Sequence, residues 1–247
     1  MLTEAVTRKL ILMLLGYSAL AGQQAAGKYD IGVQYGADFL GHSWTQEPRL
    51  TQQEIGTDIP EGVLPQRQVL HLKGRLPGRA DENTVEVIPL TDRSVPDFAR
   101  AYPGLNSSAV ALRALLAGSQ LPGLKALDKA DYDTVDAEYS LCARVERVES
   151  TWVRGFVFLV QFTQEEGGNL PNNRDLTYEF LGITKDGAYL VRASFAVNHR
   201  LLPNEPIYAN SRKLREGERQ LAGLEEDSFQ PLLSHLKAVI RSLGNGR

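Results

Sequence analysis

The chain has 247 residues, of which 43% are hydrophobic and 23% are charged, enough apolar material for a sizeable core beneath an ordinary charged surface. The formal net charge of −3 provides no global field that would attract nucleic acid or an anionic membrane surface. The only cysteine, Cys142, cannot form an internal disulfide, and it excludes metal sites built from several cysteines. Because Cys142 lies in an apolar alternation, we expect a buried or half-buried strand thiol.

The N-terminal residues follow the order of a secretory signal. Arg8 and Lys9 precede an uninterrupted apolar run over 10–15, and the small residues Ala19 and Ala21 close the segment. The apolar run is too short to span a membrane, which takes about 20 residues. We expect residues 1–21 to be a signal peptide that is cleaved after Ala21. The alternative is an N-terminal amphipathic helix packed on the core.

The residue at position 23 indicates whether the exported protein is released or anchored by a lipid. Leu20-Ala21-Gly22 matches the first part of a bacterial lipoprotein box, but Gln23 stands where the lipidated cysteine would be. The sequence therefore predicts a secreted or periplasmic protein that is not lipid-anchored. No later segment is long and apolar enough to insert into a membrane.

The first half of the mature chain predicts short strands followed by helices. A strand over 29–35 precedes an irregular surface connection over 41–67, which is rich in Gln, Pro, Gly and Thr. Strands over 68–73 and 84–90 can pair as a hairpin. Ser94 can cap a helix through Tyr102, which Pro103 and Gly104 would end, and Ser107 or Ser108 can cap a second helix over 109–117.

The second half carries the strongest signals. Residues 156–160 form a continuous apolar run that is typical of a central strand buried on both faces. Asp186-Gly187 lies between strands 177–184 and 188–197, and this dipeptide favours a hairpin because glycine accepts a positive φ. A helix capped by Asp227 or Ser228 and ended by Gly244 has an apolar stripe that can cover the sheet. The residues that can share one buried face of the hairpin are Tyr178, Phe180, Tyr189, Val191 and Phe195.

No catalytic motif is recognisable, and we assign no catalytic, cofactor-binding or metal-binding residue. The four histidines lack metal-ligand spacing, and for each of His199 and His235 a structural role is favoured over a functional one. The glycine of a calcium loop is missing near Asp131, so we expect a solvated acidic loop there. The other histidines are His42 and His71, the other acids of the acidic loop are Asp133 and Asp136, and the adjacent acid pairs are Glu165-Glu166 and Glu225-Glu226.

The basic stretch Arg212-Lys213-Leu214-Arg215 is followed by Glu216 and Glu218, which balance its charge. A solvated helix face is therefore favoured over an anion site at this position.

From about residue 87 to residue 203 the pattern resembles a family of uncharacterised secreted bacterial proteins. The resemblance rests on a strand ending in Thr-Gln and on a Tyr-x-Phe-x-Gly-x-Thr-x-Asp-Gly hairpin. It implies export, commonly to a bacterial surface, and no established activity. The strand, hairpin and terminal helix are also similar to the α/β sandwich of the photosystem oxygen-evolving subunit P (PsbP) and of the nuclear-import protein Mog1. The residues of this chain at the hairpin positions are Tyr178, Phe180, Gly182, Thr184, Asp186 and Gly187.

The sequence therefore predicts one α+β domain over 22–247, with a mainly antiparallel sheet flanked by helices in an α/β sandwich. The leading functional hypothesis is a soluble extracytoplasmic binding or accessory domain for a small molecule or an envelope protein, without a cofactor. One alternative is a hydrolase whose site is assembled from sequence-distant residues, such as His199 and the scattered acids. Another is an envelope scaffold that docks a partner through residues 41–67.

Overall fold

A computed structural model describes residues 31–49, 63–132, 138–163 and 168–245. Residues 1–21, to which the sequence assigns a signal peptide, lie outside these ranges. The strands within them are β1 (Ile31–Gly32), β2 (Phe39–Glu47), β3 (Arg67–Gly74), β4 (Asn83–Pro89), β5 (Glu138–Glu149), β6 (Val153–Thr163), β7 (Thr177–Thr184), β8 (Tyr189–Ala196), β9 (Asn198–His199), β10 (Phe229–Gln230) and β11 (Gly244–Asn245). The helices are α1 (Phe98–Ala101), α2 (Pro103–Ala117), α3 (Leu124–Ala130), α4 (Ser211–Gly223) and α5 (Leu233–Ser242).

The main element is a seven-stranded sheet in the order β2-β3-β4-β8-β7-β6-β5. Every neighbouring pair in it is antiparallel. Two short pairs, β1 with β11 and β9 with β10, lie outside this sheet. These elements confirm the α+β class that the sequence predicts.

Both faces of the sheet are covered by helices. We call the face beneath α2 and α3 the first face and the face beneath α5 the second face. In β6 the side chains of Phe156 and Phe158 join the core of the first face, and those of Val157 and Leu159 join the core of the second face. Successive side chains of a strand point to opposite faces, so a continuous apolar run fits a strand that is buried on both. The prediction for residues 156–160 is confirmed.

Both predicted hairpins are present. The β3–β4 pair aligns Leu70 with Val85, and the β7–β8 pair aligns Phe180 with Ala193. The second hairpin turns at Gly187, which has a φ of 71° that side chains with a Cβ rarely adopt. The predicted second-face residues of this hairpin all lie in the second-face core or pack against it: Tyr178, Phe180, Tyr189, Val191 and Phe195.

The irregular connection predicted over 41–67 is wrong at both ends. Residues 41–47 belong to β2, and Arg67 begins β3. Residues 42–47 of β2 are polar apart from Trp44 and so carry no apolar pattern, but β2 is an edge strand that pairs with β3 only. Such a strand has one row of backbone partners and needs less apolar surface than a central strand.

Two helix starts also differ from the prediction. Helix α1 ends at Ala101, just before Tyr102 and Pro103 as predicted, but Pro103 also begins α2, because proline fits the first turn, where its missing N–H would have no partner. Ser107 and Ser108 therefore lie inside α2. The C-terminal helix begins at Leu233, after a cis Gln230–Pro231 bond, and not at the predicted caps Asp227 or Ser228. Gly244 lies in β11, just beyond the end of α5.

Candidate functional site

Polar side chains form a row across the half of the first face that β2, β3, β4, β8 and β7 contribute. Directly opposed residues of antiparallel strands place their side chains on the same face. The ladder joins Ser43 to His71, His71 to Thr84, Thr84 to Ser194 and Ser194 to Glu179. We call these five residues the polar row. It begins at an exposed edge strand and ends in the middle of the sheet.

The edge of the row opens into a pocket of about 460 Å³. His71 lies at this end, with its Nε2 3.0 Å from Thr45 Oγ1. The Thr45 hydroxyl donates its proton to Glu47 Oε1 at 2.8 Å, so the His71 ring nitrogen donates to Thr45. The residues that line the pocket are Gly41, His42, Ser43, His71, Leu72, Lys73 and Asp81.

The inner end of the row is a buried carboxylate. Glu179 is 1% exposed, and no donor meets either of its carboxylate oxygens in hydrogen-bond geometry, although the hydroxyls of Ser194 and Thr177 lie close enough to lower its pKa. Arg192 Nε is 3.6 Å from Glu179 Oε2, an ion-pair distance that exceeds that of a hydrogen bond. Arg192 Nε is itself buried without a hydrogen-bond acceptor. This end of the row therefore brings opposite charges together but leaves their polar atoms unsatisfied.

Arg192 lies among aromatic rings and a second acid. Its Nη2 is 3.3 Å from Asp131 Oδ2, and its guanidinium carbon lies 5.7 Å from the Tyr132 ring centroid and 5.8 Å from that of Phe162. Asp131 accepts a hydrogen bond from the Tyr139 hydroxyl at 2.8 Å and one from the Tyr132 backbone N–H at 3.0 Å. Both carboxylate oxygens of Asp131 therefore accept hydrogen bonds, whereas those of Glu179 accept none.

A further pair of charges joins this network through a tyrosine. The Tyr132 hydroxyl donates to Glu86 Oε2 at 2.8 Å, and Arg67 Nε lies 3.1 Å from the same oxygen. Glu86 and Arg192 are directly opposed on β4 and β8. The network of these five charged side chains is called the first-face cluster: Arg67, Glu86, Asp131, Glu179 and Arg192.

Burial shifts the titration of this cluster. It raises the pKa of the Glu179 carboxyl, against the opposing effect of Arg192 and of the hydroxyls of Ser194 and Thr177. Burial also raises the pKa of Asp131, again opposed by Arg192. Burial disfavours the charge on Arg192, but Asp131 and Glu179 outweigh it and raise its pKa well above the usual value. Arg192 therefore stays charged, and the two acids favour their neutral forms more than ordinary carboxyls do.

His199 lies beside a serine in a geometry that does not activate it. The ring Nδ1 accepts from the Leu201 backbone N–H at 3.2 Å, so Nε2 carries the proton and donates to Ser228 Oγ at 2.8 Å. The Ser228 hydroxyl donates in turn to the Glu225 carbonyl at 2.5 Å. Burial lowers the pKa of His199, which favours this neutral ring. A general base needs a free lone pair toward its nucleophile, and here His199 is the donor.

The other sequence candidates are structural contacts. His42 Nδ1 is 2.7 Å from the Tyr35 hydroxyl, and His235, which is largely exposed, is 2.5 Å from Asp38 Oδ2. Cys142 is half-buried, as predicted, and burial raises the pKa of its thiol to about 12. The thiolate that would react is therefore scarce at neutral pH.

Some of the remaining acidic and basic candidates form ion pairs, and others are exposed. Asp131 is ion-paired and 10% exposed at its side chain, so the solvated loop predicted there is wrong for this residue. Glu226 pairs with Lys237, whereas its neighbour Glu225 makes no such pair among the described contacts. The basic stretch 212–215 lies on α4 and is exposed apart from Leu214, which confirms the solvated helix face. The acids Asp133, Asp136, Glu165 and Glu166 lie outside the described residues.

The sequence did not single out the polar row. Glu179 and Arg192 did carry a signal, because each is a charge inside an otherwise apolar strand of the same hairpin. Charged residues are almost never fully buried without a partner, so two such residues on paired strands indicate a buried charge pair. Ser43, His71 and Thr84 carried none, since ordinary surface strands also contain them.

Within the described ranges, no group of three or more His, Cys, Asp or Glu side chains could hold a metal ion. Nor does any helix there have the length and apolar character that crossing a membrane requires. Comparison with protein-family models, with curated proteins and with solved structures gives no match. The family resemblance and the PsbP and Mog1 fold analogy therefore remain expectations from the sequence.

Proposed function

We propose that the chain is an extracytoplasmic binding domain whose ligand lies along the polar row. The observation that carries this proposal is the buried Glu179 carboxylate, which ends a registered row of polar side chains and has no hydrogen-bond partner for either oxygen. The pocket at the other end of the row offers a place for the rest of the ligand. The expectation of export comes from the predicted signal over residues 1–21.

The energetics of Glu179 support a binding role over a purely structural one. A buried polar group without a partner costs about 1–3 kcal/mol, and a charged one costs more. An apolar residue would fill the same position in the sheet without this cost, as Leu181 does two residues further along β7. A ligand that supplies hydrogen bonds to Glu179 offsets the cost, and unsatisfied buried groups of this kind are typical of functional sites.

The hydrolase and scaffold hypotheses remain alternatives from the sequence. The hydrolase alternative named His199, whose Nε2 proton is committed to Ser228, so nothing at that residue favours it. The scaffold alternative named residues 41–67, and recovery of an envelope partner with and without this segment distinguishes it from the binding domain.

The proposed function is tested by mapping small molecules onto the protein in solution. Isotope-labelled protein is titrated with a panel of neutral, anionic and cationic polar fragments, and amide chemical shifts are followed by NMR. We expect at least one fragment class to perturb the amides of Ser43, His71, Thr84 and Ser194 together. The double variant Thr84→Val/Ser194→Ala removes both hydroxyls with little change of shape and should abolish this response.

The matched control is Thr151→Val, which removes an exposed hydroxyl in the turn between β5 and β6. It should leave the response unchanged. A panel in which no fragment perturbs the polar row would overturn the proposal, as would a double variant that binds as the wild type does.

A further inference from the structure

We infer that the inner end of the polar row binds a primary ammonium group, held by the Glu179 carboxylate and the hydroxyls of Ser194 and Thr177. The inference rests on the proposed function and adds the chemical class of the ligand. Three observations lead to it: the charge balance of the first-face cluster, the hydrogen-bonding capacity left at Glu179, and the groups that surround this carboxylate.

When its three acids are ionised, the first-face cluster has one negative charge in excess. Its cations are Arg67 and Arg192, and its acids are Glu86, Asp131 and Glu179. Arg67 pairs with Glu86, and Arg192 lies nearer to Asp131, at 3.3 Å, than to Glu179, at 3.6 Å. One added positive charge beside Glu179 would balance the cluster. A ligand anion would instead increase the repulsion, so charge complementarity selects a cation.

The hydrogen bonds that are missing at Glu179 define the kind of cation. A carboxylate accepts hydrogen bonds through both oxygens, and both Glu179 oxygens have none. A primary ammonium carries three N–H donors, whereas a quaternary ammonium carries none and cannot satisfy these atoms. A metal ion needs several oxygen, nitrogen or sulfur ligands together, and no such group occurs among the described residues. A primary amine is the cation that matches.

The neighbouring side chains complete the site. Ser194 lies directly opposite Glu179 on β8, and Thr177 lies two residues before it on the same face of β7. Both are half-buried, and their hydroxyl oxygens can accept the remaining ammonium hydrogens. The rings of Tyr132 and Phe162 already flank one cation, the guanidinium of Arg192, and aromatic faces stabilise cations in general.

The test uses three small molecules that share a two-carbon backbone with a hydroxyl. Ethanolamine carries a primary ammonium, choline a quaternary ammonium, and ethylene glycol no charge. Dissociation constants are measured by NMR titration on the full chain, with the amides of Thr177, Glu179 and Ser194 as reporters. We expect ethanolamine to perturb these amides and to bind at least about tenfold more tightly than choline or ethylene glycol, because only ethanolamine pairs with the buried carboxylate.

The variant Glu179→Gln preserves the shape of the side chain and removes its charge. It should weaken ethanolamine binding by about tenfold to a hundredfold. The matched control Glu149→Gln removes the same charge from a largely exposed acid on β5 and should leave the affinity unchanged. Because the comparison of ethanolamine with choline uses the wild-type protein, it tests the inference even if Glu179→Gln fails to fold.

The outcomes separate the inference from the proposed function. Equal affinities of the three compounds, or a calcium or magnesium ion that perturbs the same amides more strongly than ethanolamine, overturn the ammonium inference. If neutral or anionic fragments still perturb the amides of the polar row, the proposed binding function is retained and only the ammonium inference fails. If ethanolamine and every other fragment leave the polar row unperturbed, both are overturned.

Discussion

The protein buries charged groups on both faces of its sheet, but it pairs them differently. On the second face Lys237 Nζ lies 3.0 Å from Glu146 Oε2 and also contacts Glu226, which is in turn 3.4 Å from Arg144 Nη2. This second-face cluster, of Arg144, Glu146, Glu226 and Lys237, has two charges of each sign. The first-face cluster has two cations and three acids, one of which, Glu179, has no hydrogen bond.

The difference is the reason for proposing a ligand on the first face only. The second-face cluster joins α5, through Lys237, to β5, through Glu146, and it ties both to the 3₁₀ turn at Glu226. Every charge in it is in an ion pair and both of its carboxylates accept hydrogen bonds from Lys237, although Arg144 Nε is buried without an acceptor. The first-face cluster leaves both oxygens of Glu179 without a hydrogen bond, and the ion pair of Glu179 with Arg192, at 3.6 Å, only partly offsets the cost of burying it. A cost that is only partly offset inside a well-packed sheet points to a ligand.

The largest expected effect is on the stability of the fold when Arg192, the first-face cation beside Glu179, is lost. The variant Arg192→Met removes the charge beside Asp131 and Glu179 and leaves both acids in the interior. Breaking a buried pair in this way typically costs about 3–5 kcal/mol. The free energy of unfolding from urea denaturation at neutral pH measures this loss.

The control for this variant is Arg174→Met, which removes an arginine whose side chain is 62% exposed. Its effect should stay within about 0.5 kcal/mol. An Arg192 variant that is no less stable than this control would show that the first-face acids do not depend on Arg192, and the contrast between the clusters would fail.

Removing Lys237, one of the two second-face cations, should lower the free energy of unfolding by less. The variant Lys237→Met leaves Glu146 and Glu226, whose side chains are 41% and 28% exposed, so water can hydrate both carboxylates. We expect a loss of about 1–3 kcal/mol in the same denaturation experiment. The control Lys185→Met removes an exposed lysine paired with Glu149 and should cost at most about 1 kcal/mol. A loss at Lys237 greater than that at Arg192 would reverse the ranking of the two clusters.

The sequence predicted the parts of the fold in which local pattern and tertiary environment agree. The apolar run 156–160 predicts a buried strand, and Asp186-Gly187 predicts a hairpin turn. The sheet contains both. Strand β2 was missed because its pairing with β3, and not its own residues, makes it a strand. The end of a helix before Pro103 was predicted, but the start of α2 at the same proline was not, because proline is compatible with both positions.

The candidate site was less predictable than the fold. The polar row exists because the register of four strand pairs brings together residues as distant in sequence as Ser43 and Ser194. Register depends on the whole sheet and cannot be obtained from one strand. Glu179 and Arg192 could have been noticed as charges in apolar strands of one hairpin. Their lack of hydrogen bonds could not, since it depends on where Asp131 and the tyrosines lie.

The smallest expected effects are the opposite pH dependences of the two clusters. Burial raises the pKa of Glu179 in the folded protein above its usual value of 4.5. The stability that the protonated carboxyl provides is therefore fully present below that pH, and it is lost as the pH rises through the folded pKa. Asp131, whose pKa burial also raises, contributes with the same sign. On the second face, hydrogen bonding from Lys237 lowers the pKa of Glu226 below 4.5, so its contribution is present above that pH and is lost as the pH falls.

Unfolding free energies of the wild type, Glu179→Gln and Glu226→Gln between about pH 2 and pH 8 test these signs. The stability of the wild type relative to Glu179→Gln should fall as the pH rises, because only the wild type has to bury a charge there. Relative to Glu226→Gln it should fall as the pH is lowered below 4.5, because protonation of Glu226 ends its ion pair with Lys237. Slopes of the same sign for both variants would mean that Glu179 is as well paired as Glu226, which would remove the reason to place a ligand beside it.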